Sequence, residues 1–385
     1  LIPIVILFRA LGVVSDKEIF EHICYDLKDS AMMDLLTGSF KEASYCTTVD
    51  SAKSFLGACT LSNKSERIKF ADHILENELL PHLGTDESSL PKKALFIGYM
   101  VNRMCNSALG RTGEDDRDHY GKKRLDMVGS LMGSLFRQQF FKFTKETKEE
   151  FARMIERGAN KITLYSLFHQ DTLTKPMRYA LSTGNWGTNA LGEVAKHGVA
   201  QALNRFTYTS TLSHLRRINT PLNKTGKIAK PRQLHNTHWG IICPSETPEG
   251  QSCGLVKNLS LMSYISVDGS SQKIAEFLVN TLDVQDLKDV DPVQIPSETK
   301  IFINGNWIGM HKHANFIIRK LLELRRAKRI PSEISIVRDI INREIKIYTD
   351  GGRIQRPLFI VSKNKLRIGK KHIRKIETGE FKFSH

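Results

Sequence analysis

The 385 residues are 40% hydrophobic and 25% charged, a balance that is typical of folded globular proteins and too apolar for a disordered chain. The longest apolar run, Leu1–Phe8, is too short to span a bilayer and is followed by Arg9, so no membrane segment or secretory signal is expected. Six cysteines without a CxxC pair argue against a disulfide scaffold and predict reduced thiols. Because the first residue is Leu rather than Met, we expect an internal piece of a longer chain.

Positive charge is concentrated in the later part of the chain. Lys and Arg total 57 against 41 Asp and Glu, a net charge of +16, but residues 1–118 carry a net charge of −5 and residues 119–385 one of +21. The 52 consecutive residues from 194 to 245 contain no Asp or Glu. They do contain eight Lys or Arg residues and four His. A solvated surface normally mixes both signs, so this stretch predicts a surface that meets a polyanion such as nucleic acid. A basic face that docks an acidic protein partner is the alternative.

The first half of the chain predicts mainly helices. The apolar run Ile2–Leu7 is predicted as a short buried strand, and Ser15–Glu18 has the pattern of a capping box that opens a helix. A second, largely apolar helix is predicted over Lys93–Leu109. The charge-dense segment Arg111–Arg124 predicts a domain boundary near Asp118.

The middle of the chain changes from helix to loop. Leu125–Phe143 predicts a helix with an apolar face, and Lys145–Gly158 a separate exposed and charged helix. Four glycines in Ser182–Ala200 predict a loop that moves or approaches a partner closely. The two prolines of Cys243–Gly250 predict a stiff, preformed turn.

After about Ser260 the patterns favour strands. Lys300–Met310 alternates around Asn304-Gly305, which predicts a hairpin, and Glu344–Thr349 and Arg353–Val361 are predicted strands. Phe316–Arg329 predicts a basic amphipathic helix. The fold class predicted from the whole chain is therefore mixed α+β with several domains.

Catalytic and metal-binding motifs are missing from the sequence. It contains no phosphate-binding GxxxxGK[ST] loop, GxSxG, HExxH or GxGxxG. The acids of Glu114–Asp118 are interrupted by Arg117 and predict salt bridges rather than a magnesium site. A zinc site is conceivable from a small group of side chains, but its ten-residue Cys spacing fits no zinc-module pattern. That group is His235, His238, Cys243 and Cys253. No metal ligand and no catalytic residue is predicted in this chain.

Long contiguous strings carry a family resemblance. They are A-K-P-R-Q-L-H-N-T-H-W-G-I-I-C-P-S-E-T-P-E-G at 229–250, D-D-R-D-H-Y-G-K-K-R-L-D at 115–126, T-G-N-W-G at 183–187, S-T-L-S-H-L-R-R at 210–217 and Y-T-D-G-G-R-I-Q-R-P-L at 348–358. Together they resemble the second-largest-subunit family of multisubunit RNA polymerases, in the version of eukaryotic polymerase II. The polymerase I and III paralogues are the nearest alternatives.

The resemblance implies a division into named regions. Residues 1–118 correspond to the rear part of the lobe and 119–177 to the returning part of the protrusion. Residues 178–258 correspond to the fork, 259–345 to external region 1 and 346–385 to the start of external region 2. The lobe and protrusion parts are expected to be rich in helix, the fork mixed and the external regions rich in strand.

The resemblance also implies site residues within the fork. The candidates for contact with the RNA–DNA hybrid are Gln201, Arg205, His214, Arg216 and Arg217. Because neighbouring residues point in different directions, one of the two adjacent arginines is expected to be structural. Glu246 corresponds to a carboxylate close to the mobile elements of the active centre, and Thr188, Asn189 and Lys196 lie in a mobile fork loop near the downstream DNA.

For the parent enzyme, the resemblance implies templated addition of ribonucleotides to an RNA 3′ end in the nucleus. The expected partners are the largest subunit, other polymerase subunits, the DNA template and the hybrid. Mg²⁺ would be held by acids outside this chain, zinc by a missing C-terminal module, and the piece alone is expected to be inactive. A non-enzymatic nucleic-acid-binding protein or an assembly scaffold that uses the basic 194–245 surface is the alternative.

Overall fold

The computed structural model describes residues 2–59, 63, 66–158, 167–168, 171–187, 196–226 and 228–381. The chain forms two compact units. The first contains Leu1–Asp116 and Val267–Gly351, and the second contains Arg117–Ser266 and Gly352–His385. Each unit contains both helices and strands, which confirms the mixed α+β prediction. The finer division into lobe, protrusion, fork and external regions stays a prediction.

The described residues between 2 and 116 form helices joined by loops. The helices are α1 (Ile4–Ala10), α2 (Asp16–Cys24), α3 (Ser30–Glu42), α4 (Val49–Ala58), α5 (Arg67–His73) and α6 (Leu90–Ala108), with a π-helical turn at Ile74–Glu78. The strand predicted for Ile2–Leu7 is wrong, because α1 occupies this run with Val5, Ile6 and Phe8 fully buried. A short run that is apolar on every side has no period that separates a buried strand from a buried helix. Arg9 also anchors this helix, since its guanidinium donates to the carbonyl of Ala43 at 2.9 Å.

The second unit contains one long helix near its start. Its elements up to residue 266 are α7 (Val128–Glu156), α8 (Asp171–Thr183), α9 (Tyr208–Leu215), β1 (Arg217–Asn219), β2 (Val256–Asn258) and β3 (Tyr264–Ile265). The two helices predicted for Leu125–Phe143 and Lys145–Gly158 are in fact the single helix α7, because no glycine or proline interrupts the chain between them. Strands β1 and β2 pair in antiparallel orientation.

Residues 267–351 return to the first unit and form a sheet. Their elements are α10 (Gln272–Thr281), β4 (Gln285–Asp286), β5 (Thr299–Ile303), β6 (Asn306–His311), α11 (Ala314–Arg326), β7 (Ser335–Asp339) and β8 (Glu344–Tyr348). The strand order is β4-β6-β5-β8-β7, with β5 and β8 parallel and the other pairs antiparallel. The predicted hairpin is confirmed: Asn304 and Gly305 connect β5 to β6 with φ values of 50° and 84°, as a type I′ turn requires.

The sheet separates two apolar clusters. The isoleucines at 301, 303, 345 and 347 pack with α10 and α11 on one face. Phe302 and Trp307 pack with Tyr99 of α6 on the other, with ring centroids 5.6 Å from that of Tyr99. This alternation along each strand is what a sheet buried on both faces needs.

A buried carboxylate links α6 to the sheet. Glu344 is fully buried, accepts a hydrogen bond from the Tyr99 hydroxyl and forms an ion pair with Lys346 at 2.8 Å. Arg103 lies 3.6 Å away. Burial and the neighbouring Glu344 carboxylate raise the pKa of Tyr99, so its hydroxyl keeps the proton that it donates.

The remaining elements complete the second unit. They are β9 (Ile354–Gln355), β10 (Val361–Ser362), β11 (Lys365–Leu366) and α12 (Lys370–Glu377). Strand β9 pairs with β3. The single strand predicted for Arg353–Val361 is therefore wrong: within this range only the two residues of β9 and the first residue of β10 are in strands. All six cysteines are free thiols. None of the described helices is long and apolar enough to cross a membrane.

Replacing Tyr99 by Phe tests the buried carboxylate. We expect Tyr99→Phe to lower the free energy of unfolding of the first unit by about 1–3 kcal/mol, because Glu344 then lacks its hydroxyl donor in a buried position. Denaturant titration followed by circular dichroism measures the change. Tyr45→Phe is the matched control, since that ring is 61% exposed. Equal free energies of unfolding of the two variants would show that the Tyr99–Glu344 hydrogen bond does not stabilise the fold.

Candidate nucleic-acid interface

Helix α9 organises the candidate site. Its first turn is fixed by a capping box, in which Thr207 Oγ1 accepts from the Ser210 N–H at 3.1 Å and Ser210 Oγ accepts from the Thr207 N–H at 3.0 Å. Asn204 folds the preceding segment back onto the helix, since its carbonyl accepts from Thr211 Oγ1 at 2.7 Å. The segment before α9 is therefore tied to the helix by side chains of the helix itself.

His214 completes this attachment from the last turn of α9. Its Nδ1 accepts from the Asn204 N–H at 3.1 Å, so the ring proton lies on Nε2, which donates to Gln201 Oε1 at 3.1 Å. Gln201 Nε2 in turn donates to the Gly198 carbonyl at 3.0 Å. The two predicted hybrid contacts Gln201 and His214 thus bind each other and set the shape of the segment from 198 to 206.

The adjacent arginines have different environments. Arg216 is half-buried and donates from Nη2 to the Ser260 carbonyl, and the same nitrogen lies 3.5 Å from the carbonyls of Leu261 and Ser263. Arg217 begins β1 and is exposed, and its side chain forms no hydrogen bond or ion pair with the described residues. Arg205 is also exposed and has no such partner in the described part of the chain. Of the two, Arg216 is therefore bonded within the protein, whereas Arg217 has no side-chain partner among the described residues.

Glu246 belongs to the same framework. Its carboxylate accepts a hydrogen bond from Ser213 Oγ of α9. Its carbonyl accepts from Asn258 Nδ2 at 3.5 Å, and Asn258 is the residue that pairs with Arg217 across β1 and β2. Helix α9 and Asn258 therefore hold the carboxylate of Glu246 and the backbone of Arg217 on one framework. The sequence did not identify Ser213 or Asn258 as site residues, because neither lies in a recognisable catalytic or binding motif.

The proline-containing turn is closed by hydrogen bonds of Thr247. Thr247 Oγ1 accepts from the Gly254 N–H at 2.9 Å and donates to the Val256 carbonyl at 3.0 Å. Gly254 has φ 73°, and a Cβ atom there would lie 2.3 Å from the Arg232 carbonyl oxygen, so only glycine fits. The Arg232 guanidinium also donates to the carbonyl of Cys253 at 2.8 Å.

A buried histidine and lysine lie under this turn. His238 is 4% exposed and packs edge-on against Tyr120, with ring centroids 4.4 Å apart. Burial, and then the nearby Lys257 ammonium, lower the pKa of His238 to about 4. Lys257 Nζ donates to the carbonyls of Pro231 at 3.1 Å and Gly254 at 2.6 Å, and burial lowers its pKa too.

The described residues place no three or more His, Cys, Asp or Glu side chains together as metal ligands. In the group considered for zinc, His238 Nδ1 already accepts from the His235 N–H at 3.3 Å. His235 Nδ1 is 2.7 Å from the hydroxyl of Thr237. The Nδ1 atoms of both rings therefore form hydrogen bonds within the turn that contains them.

Of the predicted fork loop, only its ends are described. Trp186 and Lys196 pair through two backbone hydrogen bonds of 2.8 and 2.9 Å, and the Trp186 indole donates to the Leu131 carbonyl of α7 at 2.9 Å. Lys196 Nζ forms an exposed ion pair with Asp126 at 2.7 Å. Thr188 and Asn189 lie outside the described residues.

Comparison with known proteins identifies the class to which this framework belongs. Family models described as RNA polymerase Rpb2, domain 2, domain 3 and domain 4 match residues 1–126, 201–265 and 301–362. The chain belongs to the Rpb2 family of RNA polymerase subunits. The second of these matches covers α9, Arg217 and Glu246.

Individual relatives agree with the polymerase II version. The chain is 48% identical over 383 residues to "DNA-directed RNA polymerase II subunit 2" of Arabidopsis thaliana, which covers 98% of this chain and 32% of the relative. It is 48% identical over 385 residues to "DNA-directed RNA polymerase II subunit RPB2" of Schizosaccharomyces pombe, covering 97% and 32%. It is 36% identical over 396 residues to "DNA-directed RNA polymerase subunit Rpo2" of Saccharolobus shibatae, covering 99% and 34%. These matches confirm the predicted resemblance, and the chain spans about a third of the length of these relatives.

The buried His238 makes the stability of the second unit depend on pH. Its folded-state pKa of about 4 lies below its ordinary 6.5, so between these values the unfolded chain binds more protons. We expect stability to fall as the pH drops from about 6.5 to 4, and His238→Asn, which keeps an acceptor for the His235 N–H, to remove that part of the loss. Unfolding midpoints at several pH values measure it. His372→Asn, at an exposed ring, is the control, and identical pH profiles of the two variants would contradict the assignment.

Proposed function

We propose that this chain supplies the fork and the hybrid-side wall of the active centre in a DNA-directed RNA polymerase, the polymerase II enzyme. The observation that carries the proposal is the exposure of Arg217 and Arg205, without protein partners among the described residues, on a framework fixed by α9. Both lie within the acid-free stretch from 194 to 245. The names of the relatives support the reaction class, which is templated addition of ribonucleotides to RNA with release of pyrophosphate.

In this proposal Arg217 binds a phosphate of the RNA–DNA hybrid. A guanidinium offers a planar pair of donors that matches two phosphate oxygens, and a side chain without a competing carboxylate keeps its donors free. Gln201 and His214 act as positioning residues, because their polar groups already bond within the segment that they shape. Arg205, near the end of that segment that leads into α9, is a second phosphate ligand in this proposal.

Glu246 has a different role in the proposal. Its carboxylate is held by Ser213 at the surface of the framework, where it faces mobile elements of the active centre rather than a phosphate. Ser213 fixes its direction, so that the carboxylate is oriented before a partner element arrives. The negative charge also excludes phosphates from this end of the site, which leaves Arg217 as the anion-binding end.

The cofactor and partners of the proposed enzyme lie outside this chain. Mg²⁺ would be held by acids of the largest subunit and would stabilise the charge that develops on the transferred phosphoryl group. Zinc would belong to a part of the subunit that follows this chain. The partners are the largest subunit, other polymerase subunits, the DNA template and the RNA–DNA hybrid, and the location is the nucleus.

Salt dependence in the assembled polymerase tests the role of Arg217. Each phosphate contact that is lost should reduce the slope of log affinity against log salt by about 0.7–0.9. We expect Arg217→Ala to reduce the slope for an RNA–DNA scaffold by one such step. Arg216→Ala, one residue away, should leave the slope unchanged and lower the thermal unfolding temperature, because it removes the bond to the Ser260 carbonyl.

Two results would contradict the proposal. An unchanged slope in Arg217→Ala would show that this guanidinium does not bind phosphate. If the variant binds the RNA–DNA scaffold normally but loses polymerase subunits, the alternative function is favoured, in which the basic surface docks acidic proteins during assembly. Native mass spectrometry of the same preparations distinguishes that case, since it reports subunit loss directly.

A further inference from the structure

A second surface, in the first unit, has the features of a peptide-docking site. Strand β7 is the last strand in the order β4-β6-β5-β8-β7, and among the described strands it pairs with β8 alone. The edge from Ile336 to Asp339 therefore presents backbone donors and acceptors on its outer side. An edge of this kind is a template on which another extended segment can pair.

Helix α11 runs alongside this edge. Asn315 Oδ1 accepts from the guanidinium of Arg338, near the end of β7, and Arg325 Nη1 donates to the Ile334 carbonyl just before the strand at 2.9 Å. An earlier helix residue thus meets a later strand residue, so α11 is antiparallel to β7. The helical span between the two anchors is about 15 Å and the strand span is about 13 Å, so the elements run side by side over the whole edge.

The outer side of α11 is cationic. Arg319 and Arg326 follow Asn315 at i+4 and i+11, which places the three on one side of the helix next to the edge. Both guanidinium groups are exposed and have no partner in the described part of the chain. The nearby carboxylates are already engaged: Glu323 lies 3.9 Å from Lys320, and Glu333 accepts from the Val267 N–H at 2.8 Å.

The other side of the edge is apolar. Val337 points away from α11, on the same face as Lys346, and is 47% exposed. Ile340 and Ile341, in the turn that follows β7, are 71% and 89% exposed. The edge is therefore bordered by cations on the α11 face, by Val337 on the other face, and by two exposed isoleucines in the turn at its end.

We propose that β7 and the flanking side of α11 dock an acidic, extended segment of a partner polypeptide, which pairs with β7 as an additional strand. Side chains of such a segment alternate between the two faces. Acidic residues at every second position meet Arg319, Arg326 and Arg338, and apolar residues between them meet Val337 and the exposed isoleucines. A nucleic acid would match the cations alone, because it has neither the strand backbone nor the apolar side chains.

Binding of short labelled peptides to the 385-residue chain tests the proposal. The probe is an eight-residue peptide of alternating Glu and Val, measured by fluorescence anisotropy. Two further peptides carry backbone N-methyl groups on alternate residues, in either of the two possible phases. Because successive N–H groups of a strand point to opposite edges, we expect one phase to abolish binding and the other to preserve it. This comparison uses the unaltered protein, so it does not depend on the folding of a variant.

Charge reversal provides the second arm. The double variant Arg319→Glu/Arg326→Glu should weaken binding of the probe at least about fivefold, since it replaces two attractive contacts by repulsive ones. The matched control is Lys28→Glu/Lys41→Glu, at two exposed lysines of the same unit, and it should leave binding unchanged. Equal binding of the two N-methylated phases, tighter binding of a single-stranded oligonucleotide that displaces the probe, insensitivity to the charge reversal or no binding at all would each overturn the proposal.

Discussion

The candidate site depends on the two hydrogen bonds of the His214 ring. One ring nitrogen accepts from the backbone of Asn204 and the other donates to Gln201, so a single side chain at the end of α9 holds the preceding segment at two points. An imidazole is suited to this, because its two nitrogens lie on opposite sides of the ring and act as acceptor and donor together. The same helix holds Glu246 through Ser213, and the chain leaves it directly into β1 at Arg217. The positions of both charged candidates therefore follow from how α9 is anchored.

A second constraint is the way in which the protein uses its positive charge. Several cations are bonded to backbone carbonyls inside their own units, as Lys93 is to Leu75 at 2.8 Å and as Arg216 and Lys257 are in the second unit. Such cations satisfy carbonyls that helices and strands leave open, and they are not available to a ligand. The net charge of +16 thus overstates the charge that a polyanion meets. Exposed arginines that have no carbonyl or carboxylate partner in the described part of the chain, such as Arg217, Arg205 and Arg319, are the better indicators of binding.

The sequence predicted those features that depend on local chemistry. The Asn304-Gly305 hairpin and the helix α6 follow from turn preference and apolar periodicity, and both are present. It failed at α1, where burial on all sides removes the periodic signal. It also could not predict which of Arg216 and Arg217 is bonded within the protein, because the partner of Arg216 is the Ser260 carbonyl, 44 residues further along the chain. The contact between Ser213 and Glu246, over 33 residues, is hidden from local patterns for the same reason.

The most direct test of this account is photo-crosslinking from the two arginine positions in an assembled elongation complex. A photo-reactive amino acid in place of Arg217 should crosslink to the RNA or DNA of the hybrid. The same amino acid in place of Arg216 should crosslink within its own subunit, around residues 260–263, because that side chain is directed toward their carbonyls. Crosslinks from position 217 to protein alone, or equal nucleic-acid crosslinks from both positions, would contradict the assignment of Arg217 as the phosphate-binding residue.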